Sequence, residues 1–305
     1  MTEARIPVAV MGSGNIGVDL CERLSRDPDF ELVALIGRRP DSPGLQRASK
    51  LVTKTLSGGQ SDLKEILDDV AGVFDATSAF DHAHHWGLIE ERGRWAVDLT
   101  PSDIGRPMVP VLAEMNSAFS IDVDGESTNY SMVTCGGQSS APMLFAVARN
   151  CTHVREVEVS SSIAARSAGP ATRRNIDHYI ASTEALARLI VGPVSAKAIL
   201  VLNPAEPPIA MRTTVTVRAD RIDRASVARD CAAMVERVQK TVPGYSVVVS
   251  PHSPDPDRIE VTAQVIGAGY YLPTYAGNLD IINAAAVETA RLHAKAHTPS
   301  LGAAG

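Results

Sequence analysis

Apolar residues in the first half of the chain come in short blocks, separated by amphipathic stretches of about ten to fifteen residues. The blocks 7–12 (PVAVMG), 31–37 (ELVALIG), 72–77 (GVFDAT), 95–100 (WAVDLT) and 130–135 (YSMVTC) read as strands buried on both faces. Helical spacing predicts helices over 15–25, 61–69 and 82–92 between them. Strands alternating with helices make an α/β chain with a doubly wound parallel sheet of the Rossmann type. After Cys135 the pattern changes. Helices over 139–149, 174–190 and 225–240 are interleaved with strands at 155–164, 196–203, 211–219, 245–250 and 258–267. Several of these strands alternate apolar with polar, as in TVTVRA and IEVTAQVI, which suits an antiparallel α+β unit with two unlike faces. A last helix, 281–296, is expected to return to the first unit. The expected domains are therefore 1–134 with 281–305, and 135–280.

Composition narrows the classes without choosing one. The 305 residues are 45% hydrophobic and 21% charged, ordinary for a globular protein with room for two domains. A net charge of -6 gives no footprint for nucleic acid or an anionic membrane, and 4% aromatic content gives little base-stacking surface. The N-terminal stretch MTEARIPVAVMGSG lacks the long apolar core of a signal peptide, and no apolar run is long enough to span a bilayer. A cytoplasmic location is expected. Cys21, Cys135, Cys151 and Cys231 are widely spaced with no CxxC pair, so neither a disulfide framework nor a zinc site is indicated. Cys21, Cys151 and Cys231 sit in apolar or helical settings and read as filler.

Gly12, Gly14 and Gly17 form G-x-G-x-x-G directly after a strand and at the opening of a helix. There the first glycine permits a tight turn, the second lets backbone approach a pyrophosphate and the third lets helix and strand pack closely. The spacing predicts a dinucleotide site. At the end of the second strand an acid would bind the ribose hydroxyl of NAD, whereas arginine accommodates the 2′-phosphate of NADP. Arg38 and Arg39 occupy that region, with Asp41 near enough to compete, so NAD or NADP is expected, with the balance towards NADP. The alternative is a solvated loop.

Cys135 ends an apolar run and is followed by Gly136, Gly137, Gln138 and a helix. Two readings fit equally: a nucleophile kept partly as thiolate by the helix N-terminus, or a buried cysteine in an ordinary turn. Backbone N–H groups at 136–139 offer an oxyanion site in the first reading, and Gln138 is either a further donor or a helix cap. His82, His84 and His85 in DHAHHW have no second ligand cluster and are expected on a helix surface.

Taken together, GSGNIG (12–17), DATSA (75–79), DLTP (98–101), MVTCGGQ (132–138), SAGPATRRNID (167–177), NPAEPP (203–208) and YLPTYAGNLDI (271–281) resemble the CoA-acylating acetaldehyde dehydrogenases, the small type that partners 4-hydroxy-2-oxovalerate aldolase. The resemblance runs over nearly the whole chain. It implies a glyceraldehyde-3-phosphate dehydrogenase-like fold whose second domain is catalytic and forms the homo-oligomer, and coenzyme A as co-substrate. It also implies Cys135 as the acyl-thioester nucleophile. Ser13, Gly14, Asn15 and Ile16 would bind the dinucleotide, and Ser167, Ala168, Gly169, Pro170, Ala171, Thr172, Arg173, Arg174 and Asn175 would supply a second part of that site. Asn278 would reach the nicotinamide end.

Other roles stay open beside these. Arg173 or Arg174 would meet a phosphate or simply solvate a helix start, and Asn278 would orient a carboxamide or cap the last helix, with Asp280 as rival cap. The chain departs from the resemblance at Thr213, where those enzymes carry an acid, and in a shorter segment between Ser250 and Tyr270. These departures, with Arg38 and Arg39, point to a divergent member using NADPH and a different acyl group. The alternatives are a phosphate-dependent semialdehyde dehydrogenase of the same fold and a non-catalytic dinucleotide-binding subunit.

Overall fold

The computed structural model describes residues 5–121, 125 and 127–297; the side chains of Pro170 and Ala171 lie outside the described residues. Backbone proximity divides the chain into two units. One comprises Met1–Pro110, Phe119–Met132 and Ala286–Gly305, the other Val111–Ala118 and Val133–Ala285. The short stretch Val111–Ala118 groups with the second unit, whereas the sequence placed it in the first.

The first unit runs β1 (Ile6–Met11), α1 (Asn15–Leu24), β2 (Phe30–Ile36), α2 (Pro43–Ala48), β3 (Lys54–Leu56), α3 (Gln60–Ile66), β4 (Gly72–Asp75), α4 (Ala79–Glu90), β5 (Trp95–Asp98), β6 (Arg106–Met108) and β7 (Asn129–Met132). Its seven strands lie in the order β3-β2-β1-β4-β5-β7-β6, and every pairing is parallel. Order reverses between β1 and β4, the crevice where open α/β sheets take their ligands. Ala9, Met11, Ala34, Ile36, Val73 and Ala96 bury one sheet face against Leu63, Ile66, Leu67 and Ile89. Phe74 and Trp95 meet edge-on, with ring centroids 5.7 Å apart.

The second unit runs α5 (Cys135–Ala148), β8 (Cys151–Ala164), α6 (Pro170–Arg174), α7 (Ile176–Val191), β9 (Ser195–Asn203), β10 (Met211–Ile222), α8 (Arg224–Gln239), β11 (Tyr245–His252), β12 (Arg258–Val265) and α9 (Gly277–His297), whose residues from Ala286 belong to the first unit. Five strands take the order β11-β12-β10-β8-β9. The expectation of an antiparallel sheet is corrected: β8 and β9 pair parallel, and only the other three pairings are antiparallel. Parallel neighbours need a long crossover, which α6 and α7 provide. Alternation along β10 and β12 buries Met211, Val215, Val217, Val261 and Val265 and leaves the intervening residues wetter. Helix α5 packs on β8, β10 and β12, flanked by α7 and α8.

Candidate active site

The glycine motif folds as its spacing requires. Gly12 has φ +102°, and a Cβ there would stand 2.6 Å from the Ala76 carbonyl oxygen; a Cβ on Gly17 would stand 1.8 Å from the Gly12 oxygen. Gly14 faces open space and caps α1 without a side chain, so no side-chain acceptor occupies the helix start. Such a terminus suits a phosphate. Ser13 Oγ lies 2.8 Å from Ser42 Oγ, and a Cβ on Gly44 would meet the Ser13 carbonyl oxygen at 2.0 Å. Ser42, the cap of α2, and Gly44 in its first turn thus clasp the glycine turn, a contribution that the sequence reading missed. Arg38 and Arg39 are exposed on the loop after β2. Arg38 stands 3.8 Å from Asp81, and Arg39 lies 3.7 Å from Asp41.

In the second unit, α5 begins at Cys135 itself rather than at 139. Thr134 is the reason. Its Oγ1 accepts the Gly137 N–H at 2.9 Å, its carbonyl accepts the Gln138 N–H at 2.8 Å, and its hydroxyl lies 2.6 Å from Thr183 Oγ1. Thr183 donates to the Tyr179 carbonyl at 2.7 Å, so the proton order is determined: Thr134 donates to Thr183. With Thr134 as the cap, Gln138 is a buried residue inside the helix and does not cap it. Within the expected oxyanion segment, the Gly137 and Gln138 amides are committed to Thr134. The Cys135 and Gly136 amides are the backbone groups that act on the sulfur.

The paired glycines answer to packing. A Cβ on Gly136 would stand 1.8 Å from Tyr179 Oη and 2.7 Å from Ser161 Oγ; one on Gly137 would stand 2.7 Å from Leu186 Cδ2. Helix α5 can approach α7 and β8 this closely only without those side chains. Tyr179 is 7% exposed, and its Oη has no hydrogen-bond partner among the described residues. Ser161, beside it, lies 3.2 Å from Thr213 Oγ1, its cross-strand partner in the β8/β10 register. The surroundings of Cys135 are therefore neutral hydroxyls.

Burial pushes the Cys135 thiol up to about 11, against the opposing pull of the Gly136 and Cys135 amides and the Tyr179 hydroxyl. At the helix start of the resting protein desolvation outweighs the backbone donors, which favours the thiol over the thiolate there. Cys135 nevertheless keeps a partly open surface, unlike Cys21 and Cys231, which are buried.

Ser167 and Ala168 are buried, and Ser167 donates to the Ala164 carbonyl at 2.8 Å. Arg173 donates to the carbonyls of Ala168 at 3.1 Å and Ala165 at 2.8 Å, which fastens the loop to itself. Gly169, Thr172, Arg174 and Asn175 line its outer side or the step into α7, where Asn175 is the cap position one turn before Tyr179. Asn278 lies inside the first turn of α9, so it does not cap that helix; its Oδ1 is buried without a partner among the described residues.

The histidine cluster is corrected as well. Ser78 caps α4, which starts three residues earlier than expected, at Ala79, and this turns His82 and His85 inward. Asp75 Oδ2 lies 2.9 Å from His82 Nδ1 and 2.7 Å from His85 Nδ1, and His82 Nε2 lies 3.5 Å from Asp98. Only His84 is on the surface. Burial lowers His82, but the bond to Asp75 and the charges of Asp98 and Asp75 prevail and raise it. The network sits directly beneath the loop 76–78 that closes over Gly12.

A parallel sheet with an open glycine cradle at its switch point, in one chain with an α+β unit that presents a cysteine at a capped helix start, defines a two-unit dehydrogenase of the glyceraldehyde-3-phosphate dehydrogenase-like architecture. Its fold matches aspartate semialdehyde dehydrogenase II of Vibrio cholerae with a TM-score of 0.62 over 96% of this chain and 99% of that one, at 16% identity. The chain belongs to the acetaldehyde dehydrogenase family. It is 42% identical over 286 residues to acetaldehyde dehydrogenase of Pectobacterium atrosepticum, covering 93% of this chain and 94% of that protein. It is 43% identical over 303 residues to the Salinispora tropica enzyme of that name, covering 93% and 96%. Residues 135–273 match the family model described as prokaryotic acetaldehyde dehydrogenase, dimerisation.

Proposed function

We propose that the chain interconverts a short-chain aldehyde, of the acetaldehyde or propionaldehyde class, and its acyl-CoA, through a thioester on Cys135. The observation that carries this reading is the placement of Cys135 as the first residue of a helix capped by Thr134, with two backbone amides turned on its sulfur. The thiolate attacks the aldehyde carbon, and the carbonyl oxygen becomes an oxyanion that the Cys135 and Gly136 amides stabilise. Collapse of that oxyanion expels hydride and leaves the acyl group on sulfur. Coenzyme A thiolate then takes the acyl group, and Cys135 leaves as thiolate. Exchange between two thioesters is nearly isoenergetic, so the residues serve either direction.

The residues present fit a nicotinamide dinucleotide: the turn leaves the start of α1 open at Gly14, with nothing within 4 Å of a Cβ placed there, and Asn278 Oδ1 is a buried acceptor without a partner among the described residues. Bound there, the dinucleotide supplies the hydride acceptor. Ser13, Gly14, Asn15 and Ile16 would hold its pyrophosphate, the run Ser167 to Asn175 a second part, and Asn278 its carboxamide. Within this reading NADP is the preferred form. Arg38, 82% exposed at the end of β2, would exchange its 3.8 Å pairing with Asp81 for a 2′-phosphate, while Asp41 lies 3.7 Å from Arg39.

A homo-oligomer through the second unit is part of the proposal. Both edge strands of its sheet carry exposed apolar residues, Val201 on β9 and Val248 and Val249 on β11. An aldolase that hands over the aldehyde, and a cytoplasmic setting, complete it; among the described residues no helix is long and apolar enough to cross a membrane. The test is reduced-nicotinamide absorbance with acetaldehyde or propionaldehyde and NAD or NADP, with CoA or inorganic phosphate as acceptor. CoA dependence supports the proposal. Phosphate dependence would replace it by the semialdehyde dehydrogenase reading.

A further inference from the structure

We propose that Tyr179 is the side-chain donor that stabilises the Cys135 thiolate, backed by the hydroxyls of Ser161 and Thr213. The proposal rests on the reading of Cys135 as nucleophile and names the group that makes its anion attainable.

The geometry carries the argument. Tyr179 Oη occupies the space that a side chain at position 136 would fill, which places it on the backbone step next to the nucleophile. The hydroxyl is buried and lacks a partner among the described residues, although its neighbours include good acceptors. Buried hydroxyls are ordinarily satisfied, and this one meets no acceptor at full hydrogen-bond geometry while it already acts on the Cys135 sulfur, so its proton is placed to serve the anion. Thr134 gives its own proton to Thr183 and accepts from Gly137, so it is no donor to the sulfur, and the phenol is the side-chain hydroxyl that acts there.

Behind Tyr179 the cross-strand pair Ser161 and Thr213 lies at 3.2 Å, and Thr213 is itself buried. A chain of hydroxyls in which Thr213 donates to Ser161 and Ser161 turns to Tyr179 would polarise the phenol O–H towards sulfur. Burial holds the phenol far above its ordinary value, so it remains a donor and never acts as base. The step itself is an ionisation. The S–H proton passes to water or a buffer base, the electron pair stays on sulfur, and the Tyr179 O–H bond stays intact while it donates to the new anion. Charge is thus met by two amides and one phenol, with no carboxylate or imidazole acting on the sulfur among the described residues.

The experiment is the pH dependence of Cys135 alkylation by iodoacetamide in the full chain, with the labelled peptide quantified by mass spectrometry, for wild type and Tyr179→Phe. Loss of the donor raises the thiol, and alkylation at a fixed pH near 8 is expected to slow by about tenfold. The thermal midpoint should hold or rise, because phenylalanine removes an unsatisfied buried hydroxyl. A merely structural tyrosine would lower both together. Alkylation of Cys135 as fast in Tyr179→Phe as in wild type overturns the proposal, and so does a fall that only tracks lost stability. Should Tyr179→Phe not fold, Thr213→Val must slow alkylation in the same direction by a smaller factor, and an unchanged profile overturns the relay. Failure of the nucleophile reading would look different: Cys135→Ala would retain CoA-dependent turnover, whatever the alkylation profiles show.

Discussion

Thr134 Oγ1 and the Gly137 amide, 2.9 Å apart, set where α5 begins and so make Cys135 its first residue. Replacing Thr134 by valine keeps the shape and removes the cap. The expected cost is about 1–2 kcal/mol of stability, read by urea unfolding, together with a slower turnover because the Cys135 and Gly136 amides lose their fixed direction.

Gly136→Ala brings a methyl into the space held by Tyr179 Oη and Ser161 Oγ. Overpacking of this kind costs about 1–3 kcal/mol, and turnover should be lost with it. The double variant Gly136→Ala/Tyr179→Phe removes the closest atom of the clash. Its unfolding midpoint should therefore recover part of the loss, and strict additivity of the two changes would show that they do not touch.

The buried network of Asp75, His82, His85 and Asp98 gives the chain a pH profile with a defined sign. Burial alone would raise Asp75, but the bonds from His82, His85 and Thr77 and the His85 charge hold it well below 3.8, so its contribution is intact above that value and fades as pH falls through the lowered one. His82 is raised above 6.5, so its contribution is full below that value and fades as pH rises through the raised one. Burial raises Asp98 above 3.8, so its contribution is full below that value and is lost as pH rises through the raised one. Stability from this network should thus peak at weakly acidic pH, and His82→Gln should flatten the alkaline fall. His82→Leu removes the imidazole beside buried Asp98 and one of the two beside Asp75, which keeps His85, and should cost about 3–5 kcal/mol, checked by denaturant titration.

Arg38→Asp places an acid where the second strand ends. The ratio of kcat/KM for NADP over NAD should drop by roughly tenfold or more, the value of one charge-assisted phosphate contact. An unchanged ratio would remove Arg38 from the cofactor site.

Much of this architecture is legible in the sequence, for physical reasons that also mark where legibility stops. The central strands β1, β2, β4 and β5 are largely apolar runs, and the glycine spacing declares the turn after β1. The three-residue strands β3 (KTL) and β6 (RPM) carry no such pattern; neighbouring strands, not their own side chains, specify them. Cys135 stands out in the sequence because two glycines follow it. That those glycines make room for Tyr179 and Leu186 is not legible, since the contact joins positions more than forty residues apart. One local sign was available: threonine before CGG is a good N-cap, and its recognition would have moved the helix start to Cys135 and removed Gln138 as cap. Ser78, three residues before Asp81, was a similar sign, and it would have turned His82 and His85 from surface to interior.

The most direct test of the central claim is mass spectrometry of the protein incubated with acetyl-CoA or propionyl-CoA without reduced dinucleotide, followed by peptide mapping. The account predicts a single acyl adduct on Cys135 that free CoA discharges and that Cys135→Ala abolishes along with turnover. An adduct on another residue, or undiminished CoA-dependent turnover in Cys135→Ala, would contradict it.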